Sequence, residues 1–253
     1  MDLGLKDRVY IVTGGTRGLG RAGAEALVAD GARLVVTSRS QDAVDAAVDE
    51  LGTASVVGVA ADNADPDTPD RLVAAALDRF GRLDGALVSV GGPPAGPVTE
   101  ITDDQWRAAF DSVFLGAVRL ARVVAAQLSG GGALAFVLSS SVKAPIAGLA
   151  ASNGLRPGLA MVIKQLADEL GPDGVRTVGL LPGSIETDRL RELATMSGRD
   201  PEEVKAAAEK TIPLRRYGRP EEFGRVAAFA LSPAASYLTG SVIAVDGGSI
   251  RSL

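Results

Sequence analysis

The sequence predicts an α/β protein built on a parallel sheet with helices on both faces. Three observations lead there. An apolar run, Val9-Tyr10-Ile11-Val12, enters the glycine turn Thr13-Gly14-Gly15-Thr16-Arg17-Gly18-Leu19-Gly20, and a helical pattern follows to Ala29. Short apolar runs and helical segments then alternate along the chain, the order that parallel strands joined by crossover helices require. No repeat, low-complexity tract or linker interrupts this alternation, so the 253 residues are expected to form a single domain, 1–253.

The first unit is strand, glycine turn and helix, with the helix running from about Arg21 to Ala29. Such a turn lets the backbone approach a diphosphate, and the N–H groups that open the helix point at the anion. Side chains on the glycines would block that approach. Arg33–Thr37 reads as the second strand and Gln41–Leu51 as an alanine-rich helix. Ser55–Ala60 is the third strand, followed by a helix from about Asp67 to Phe80, and Gly85–Val90 is the fourth. Right-handed crossovers then restrict the topology. Thr102 to about Leu128 reads as one long helix, opened by a capping box of Thr102 and Gln105. Trp106, Phe110, Val113, Ala117, Leu120 and Val124 make one apolar stripe on it. Ala133–Leu138 is a strand, and the helix after it ends near Leu170, where Gly171-Pro172 stops it. Val175–Leu181 is a strand, and Arg189 to Lys210 is polar and helical, two short helices over the edge of the sheet. Pro220–Ala230 is a helix with proline at its start, and Ser241–Val245 is the last strand.

Composition excludes several kinds of function. Lys+Arg is 26 against 31 Asp+Glu, a net charge of −5, which argues against a bulk electrostatic nucleic-acid binder. There is no cysteine, hence no disulfide or thiolate chemistry. There is no histidine, so the commonest general base and the commonest transition-metal ligand are both missing. No metal site is expected. No apolar run is long enough to span a membrane and no N-terminal signal pattern is present, so a cytoplasmic protein without a membrane partner is expected.

With these landmarks placed, the chain resembles the short-chain dehydrogenase/reductase family over its whole length. Thr13–Gly20 matches the family's T-G-x-x-x-G-x-G cofactor turn, and Leu181-Pro182-Gly183-Ser184-Ile185-Glu186-Thr187 looks like its P-G-x-x-x-T segment. Tyr237-Leu238-Thr239-Gly240 and Val245-Asp246-Gly247-Gly248 resemble its C-terminal signature. The resemblance implies a Rossmann-type, doubly wound sheet of seven strands, hydride transfer between a nicotinamide cofactor and a small carbonyl or alcohol substrate, and a homodimer or homotetramer. It assigns cofactor contacts to Gly14, Thr16, Arg17, Gly18, Leu19 and Gly20 in the turn and to Asp62 and Asn63 beside the adenine. Around the nicotinamide it assigns Gly91, Pro182, Gly183, Ile185 and Thr187. Segment 189–212, with Arg191, Glu192, Arg199 and Lys205, would be a lid over the pocket, and Gly91-Gly92-Pro93-Pro94 a small, stiff wall beside it.

The cofactor is expected to be NADP(H). In NAD-selective relatives an acid ends the second strand and binds the ribose hydroxyls. Here that position is Ser38, Arg39 follows it, and Arg17 sits in the glycine turn. An acid repels a 2′-phosphate, whereas two guanidinium groups clamp one.

The catalytic positions depart from the family. Its members use an Asn, a Ser, a Tyr and a Lys four residues after the Tyr. Aligned on Leu166-Ala167-Asp168-Glu169-Leu170, the Tyr position is Ser152 and the Lys position is Arg156, and the Asn position falls on Val113. The Ser lies within Ser139-Ser140-Ser141, with Ser140 the first choice and Ser141 the second. A serine hydroxyl is a far weaker acid than a phenol, and arginine does not relay a proton, but Arg156 can still donate hydrogen bonds to the cofactor's ribose hydroxyls or to a substrate oxyanion. Pro157 favours a helix that begins only at Arg156-Pro157, with Ser152 left in a loop. Lys143, after the serine cluster, is the replacement acid if burial lowers its pKa. Asp111 and Glu186 are weaker candidates. Two readings stay open: an NADP(H)-dependent oxidoreductase with an altered proton path, and an NADP(H)-binding sensor or assembly subunit that has lost hydride transfer. A lyase reusing the pocket finds no positive support.

Overall fold

The structure is a computed structural model that describes residues 2–128, 130–196, 198 and 200–252. Seven strands, β1 (Val9–Thr13), β2 (Arg33–Ser38), β3 (Val56–Ala60), β4 (Gly85–Val88), β5 (Gly132–Val137), β6 (Val175–Pro182) and β7 (Ser241–Val245), form one sheet in the order β3-β2-β1-β4-β5-β6-β7. Every pairing is parallel. This is the Rossmann-type, doubly wound sheet that the resemblance implied. The winding reverses beside β1, whose neighbours are β2 and β4. Ligands of such sheets bind outside the carboxyl ends of the strands at that reversal.

Both faces of the sheet are covered, which is why the strands read as apolar runs. Along β1, Tyr10 and Val12 pack with Leu27 of α1 (Gly18–Ala29) and Phe223 of α9 (Pro220–Leu231). Val9 and Ile11 pack on the other face, with Leu72 of α3 (Thr68–Phe80), Leu120 of α5 (Gly116–Ala125) and Ile163 of α6 (Ala150–Leu170). α2 spans Gln41–Leu51 and β7 Ser241–Val245, the bounds that the sequence predicts. The polar segment after β6 folds as α7 (Asp188–Met196) and α8 (Pro201–Glu209). Arg199 lies outside the described residues.

Three expectations need correction. α1 begins at Gly18, inside the glycine turn, rather than near Arg21. The long helix expected from Thr102 to Leu128 is interrupted: α4 (Asp103–Ala109), opened by the expected Thr102–Gln105 capping box, passes into a π-helical turn, Phe110–Leu115, and then into α5, which ends at Ala125. The widening lies just before Gly116, where a Cβ would stand 2.2 Å from the Asn63 carbonyl oxygen. Apolar periodicity continues through a π-turn, so the pattern carries no sign of it.

Third, α6 does not begin at Arg156-Pro157. It begins at Ala150, so Ser152 and Arg156 share one helix with Pro157 inside it. Tertiary contacts override the local preference. Ala150 N donates to Gly96 O (3.1 Å) and Gly96 N to Gly148 O (2.6 Å). Asn153 closes the preceding loop on the helix, its Nδ2 donating to Ile146 O (2.8 Å) and its Oδ1 accepting from Ile146 N (3.0 Å). Pro157 still deprives Asn153 O of a helical partner. Pro157→Ala is therefore expected to stabilise the protein by about 1–3 kcal/mol, the scale of proline's helix penalty less the entropy that the unfolded chain regains. Thermal unfolding of the two proteins checks it, and an unchanged or lower midpoint would contradict it.

Candidate active site

The crevice is organised by the junction of β1 and β4. Thr13 Oγ1 donates to Ser89 O and accepts from Ser89 N, both at 2.9 Å, which clasps the two strand ends together. The glycine turn lies directly on this clasp. At Gly14, with φ +57°, a Cβ would stand 2.6 Å from Ser89 O, and at Gly20 it would stand 2.3 Å from Gly14 O. Only bare backbone fits. Arg17, at the N-cap of α1, makes no capping bond through its side chain, so the amides opening the helix have no side-chain acceptor from that position. An anion is their natural partner. Thr187 stands opposite, its methyl 3.9 Å from where a Gly18 Cβ would lie. Thr16 is half-buried, and Leu19 packs its side chain into the core below. The residues present thus fit a dinucleotide's diphosphate.

Toward the β2–β3 side, Ser38 ends β2 and its Oγ donates to Ser40 O (3.3 Å). Arg39 is exposed and has no ion pair among the described residues. Arg17 is also exposed, with Nη1 3.7 Å from Glu192 Oε1 on α7. Asp62 follows β3, its Oδ1 accepting from Ala64 N (2.9 Å), and the carbonyl of Asn63 abuts α5 at Gly116. On the other side, Gly183 N donates to Val245 O (3.0 Å) just after Pro182, and Ile185 is buried against Gly218. Gly91 is exposed on the loop after β4, with open space around it.

The catalytic candidates are brought together in part. Ser152 on α6 meets Ser141, their hydroxyls 3.3 Å apart and both buried. The structure therefore pairs Ser152 with the second choice, Ser141, and not with Ser140. Ser139 caps the short turn Ser140–Val142, accepting from Ser141 N, and Ser141 is the buried serine of the cluster. Arg156 is buried, and its Nη1 donates to Val137 O (2.6 Å) at the end of β5. Desolvation, with the charge of Arg189 added, pushes this guanidinium down to about 10, so it remains cationic at neutral pH. Val113 is buried in the apolar stripe.

The other candidates have different surroundings. Lys143 is exposed, so it lacks the burial on which its role as an acid depended. Asp111 is exposed as well. Glu186 accepts from Lys205 Nζ (2.9 Å), which holds its carboxyl below the usual range. The tyrosines do not substitute. Tyr10 is buried in the core, donating to Leu231 O (3.2 Å), and burial raises its pKa. Tyr237 is fully exposed, and Tyr217 packs beside Lys205, with Nζ 5.7 Å from the ring centre.

Sequence reasoning missed Arg189. Its Nη2 donates to Pro93 O (2.9 Å), and its guanidinium covers Gly92, where a Cβ would be 2.7 Å from Nε. In the sequence nothing separates it from Arg191, which is exposed. The sole hint is its place two residues after Thr187.

Comparison with known proteins agrees with this geometry. The profile of the family described as Enoyl-(Acyl carrier protein) reductase matches residues 14–249. An uncharacterized oxidoreductase of Mycobacterium tuberculosis is 34% identical over 250 residues, 96% of this chain and 92% of the relative. Human Dehydrogenase/reductase SDR family member 4 is 34% identical over 257 residues, 97% of this chain and 88% of the relative. The structure of L-sorbose reductase from Gluconobacter frateurii, complexed with NADPH and L-sorbose, superposes with a TM-score of 0.92 at 30% identity and covers 100% of both chains. Sheet order, glycine cradle and end-to-end similarity lead to one conclusion: the chain belongs to the short-chain dehydrogenase/reductase family.

Proposed function

We propose that the protein is an NADP(H)-dependent oxidoreductase that interconverts a carbonyl and an alcohol through an altered proton path. The observation that carries this reading is the backbone cradle of Gly14 and Gly20 beneath the start of α1, with Thr187 facing it. The NADPH bound by L-sorbose reductase supports it. When bound, NADPH supplies the hydride. This chain's part is to seat the cofactor and manage charge and proton at the substrate oxygen. Gly14, Thr16, Gly18, Leu19 and Gly20 line the diphosphate, Asp62 and Asn63 the adenine, and Gly91, Pro182, Gly183, Ile185 and Thr187 the nicotinamide end. α7 and α8 serve as the lid.

Ser152 stands where the family's Tyr is expected and Arg156 where its Lys is expected. A hydroxyl donates and accepts at once. Ser152 holds the substrate oxygen while Ser141 bonds to it, and a proton reaches the oxygen along this pair from a water. Arg156 stays charged throughout and stabilises developing negative charge on the oxygen. The exposure of Lys143 supports moving the donor's role to the hydroxyl pair. Incubation with NADPH and a panel of ketones and aldehydes, followed by the near-ultraviolet absorbance of the cofactor, tests the reading. If NADPH binds and no compound is reduced, the second reading holds: a cofactor-binding sensor or assembly subunit. Among the described residues no tyrosine hydroxyl bonds to Ser141 or Ser152, which favours that reading.

Ser38, Arg39 and Arg17 support a preference for the 2′-phosphate. Arg39→Ala is expected to weaken NADPH binding by about 1.5–3 kcal/mol, the worth of a charge-assisted hydrogen bond, and to leave NADH binding unchanged. Fluorescence titration with both cofactors decides it, and equal affinities in the parent protein would sink the idea.

A homodimer or homotetramer paired through α4–α5 and α6 is also proposed. Phe110 and Met161 are exposed on these helices, and Phe110 stacks on Phe114 at 5.3 Å. Light scattering at micromolar concentration is expected to give a multiple of the 25.7 kDa chain, and a monomer would contradict it.

A further inference from the structure

Resting on the reductase reading above, we propose that the substrate carries a carboxylate, which binds between the guanidinium groups of Arg156 and Arg189. Both groups are anchored at the carboxyl end of the sheet. Arg156 is fixed to Val137 O at the carboxyl end of β5, and Arg189 to Pro93 O on the loop that follows β4. β4 and β5 are adjacent, with Val88 paired to Phe136, so both anchors belong to the same end of neighbouring strands. The Ser141–Ser152 hydroxyl pair lies on the same side, one helical turn before Arg156.

Charge bookkeeping leaves this corner positive. Arg156 has five N–H donors, and among the described residues its one hydrogen bond is to Val137 O. No ion pair is made by Arg156 among the described residues, and the charged group whose field reaches it is a second cation, Arg189. The surrounding acids are committed elsewhere. Glu186 is bonded to Lys205, and Asp188 lies 3.8 Å from Arg191. Glu192 is 3.6 Å from Arg189 but is shared with Arg17 at 3.7 Å and is well exposed. The buried Asp84 sits at the opposite, amino end of the strands, just before β4, bonded to Arg8, Arg82 and Val9 N. A buried cation without a counter-charge is strongly disfavoured, and an anion relieves it more than neutral ribose hydroxyls do. The cofactor's diphosphate is accounted for at the glycine turn, and its 2′-phosphate at Arg17 and Arg39. What remains to supply the charge is the substrate. A planar carboxylate suits the forked donors of guanidinium groups.

The test uses the NADPH-loaded protein, so that the cofactor's own phosphates are already seated. Pyruvate, acetoacetate, levulinate and phenylpyruvate are each compared with their own methyl esters, by the change in NADPH fluorescence on binding and by turnover. At least one acid is expected to bind about tenfold or more tightly than its ester, the scale of one charge-assisted contact. Arg189→Gln is expected to erase that preference while leaving NADPH affinity unchanged, and Arg189→Lys to keep part of it. A panel in which no acid outbinds its ester overturns the proposal, as does a preference that survives Arg189→Gln. Reduction of the esters as fast as the acids would overturn it and leave the reductase reading standing. Acids that bind in the expected order without ever oxidising NADPH would support the anion site and defeat the reductase reading.

Discussion

Replacing Arg156 with methionine is expected to lower NADPH-dependent turnover by about 100-fold or more, and at the same time to make the cofactor-free protein more stable. The first effect is the scale seen when a preorganised group that stabilises transition-state charge is removed. The second follows from weighing two opposing changes. Methionine loses the hydrogen bond from Nη1 to Val137 O, worth about 1 kcal/mol. It also removes a buried cation that makes no ion pair among the described residues and feels the like charge of Arg189, and the desolvation penalty of such an ion is several kcal/mol. The larger change wins, and methionine nearly matches the volume of the arginine stem. A gain of about 1–3 kcal/mol is expected, roughly 2–4 °C in thermal midpoint for each kcal/mol in a protein of this size. Differential scanning calorimetry without cofactor reads the stability, and the NADPH assay reads the turnover. A variant that is both inactive and less stable would mean that Arg156 holds the crevice together and is not stored for a ligand.

Gly20→Ala is expected to abolish NADPH binding, with a loss of about 100-fold or more in affinity. The added methyl would lie 2.3 Å from the carbonyl oxygen of Gly14 and 2.8 Å from its carbonyl carbon. Both are backbone atoms, so no side chain can swing aside. The turn and the first residues of α1 must separate by about 1 Å to restore ordinary contact, and that displaces the amides from the diphosphate. Overpacking of this kind also lowers stability by about 1–3 kcal/mol, so far-ultraviolet circular dichroism must accompany the titration. A folded Gly20→Ala protein that binds NADPH like its parent would remove the glycine turn from the cofactor site.

Much of the site was legible because it is written in local chemistry. A glycine turn between an apolar strand and a helix has few structural meanings, and the structure puts bare backbone where a diphosphate would lie. The serine cluster was harder. Three consecutive hydroxyls have the same composition and nearly the same spacing to Ser152, and the fold decided that Ser141 is the buried one that meets it. The start of α6 is hidden in the sequence for a related reason. Pro157 speaks against a helix over its preceding turn, but the contacts that overrule it come from Gly96 and Ile146, which helical periodicity does not reveal. Lys143 had the right chemistry and neighbourhood, and only the structure showed that its side chain is exposed.

By itself the sequence determined the alternation of strands and helices, the two-sided burial of the sheet and the glycine cradle. Each of these recurs at short intervals along the chain, as the apolar residues of a strand or a helical face must. Only the tertiary structure decided that Ser141 meets Ser152, that Arg156 is buried within the field of Arg189 and that Glu186 is spent on Lys205. These are meetings between separate elements, and for the two charged pairs between separate helices and loops. Their energies depend on distance and exclusion of water, which the fold sets when it brings the ends of β4 and β5 against α6 and α7.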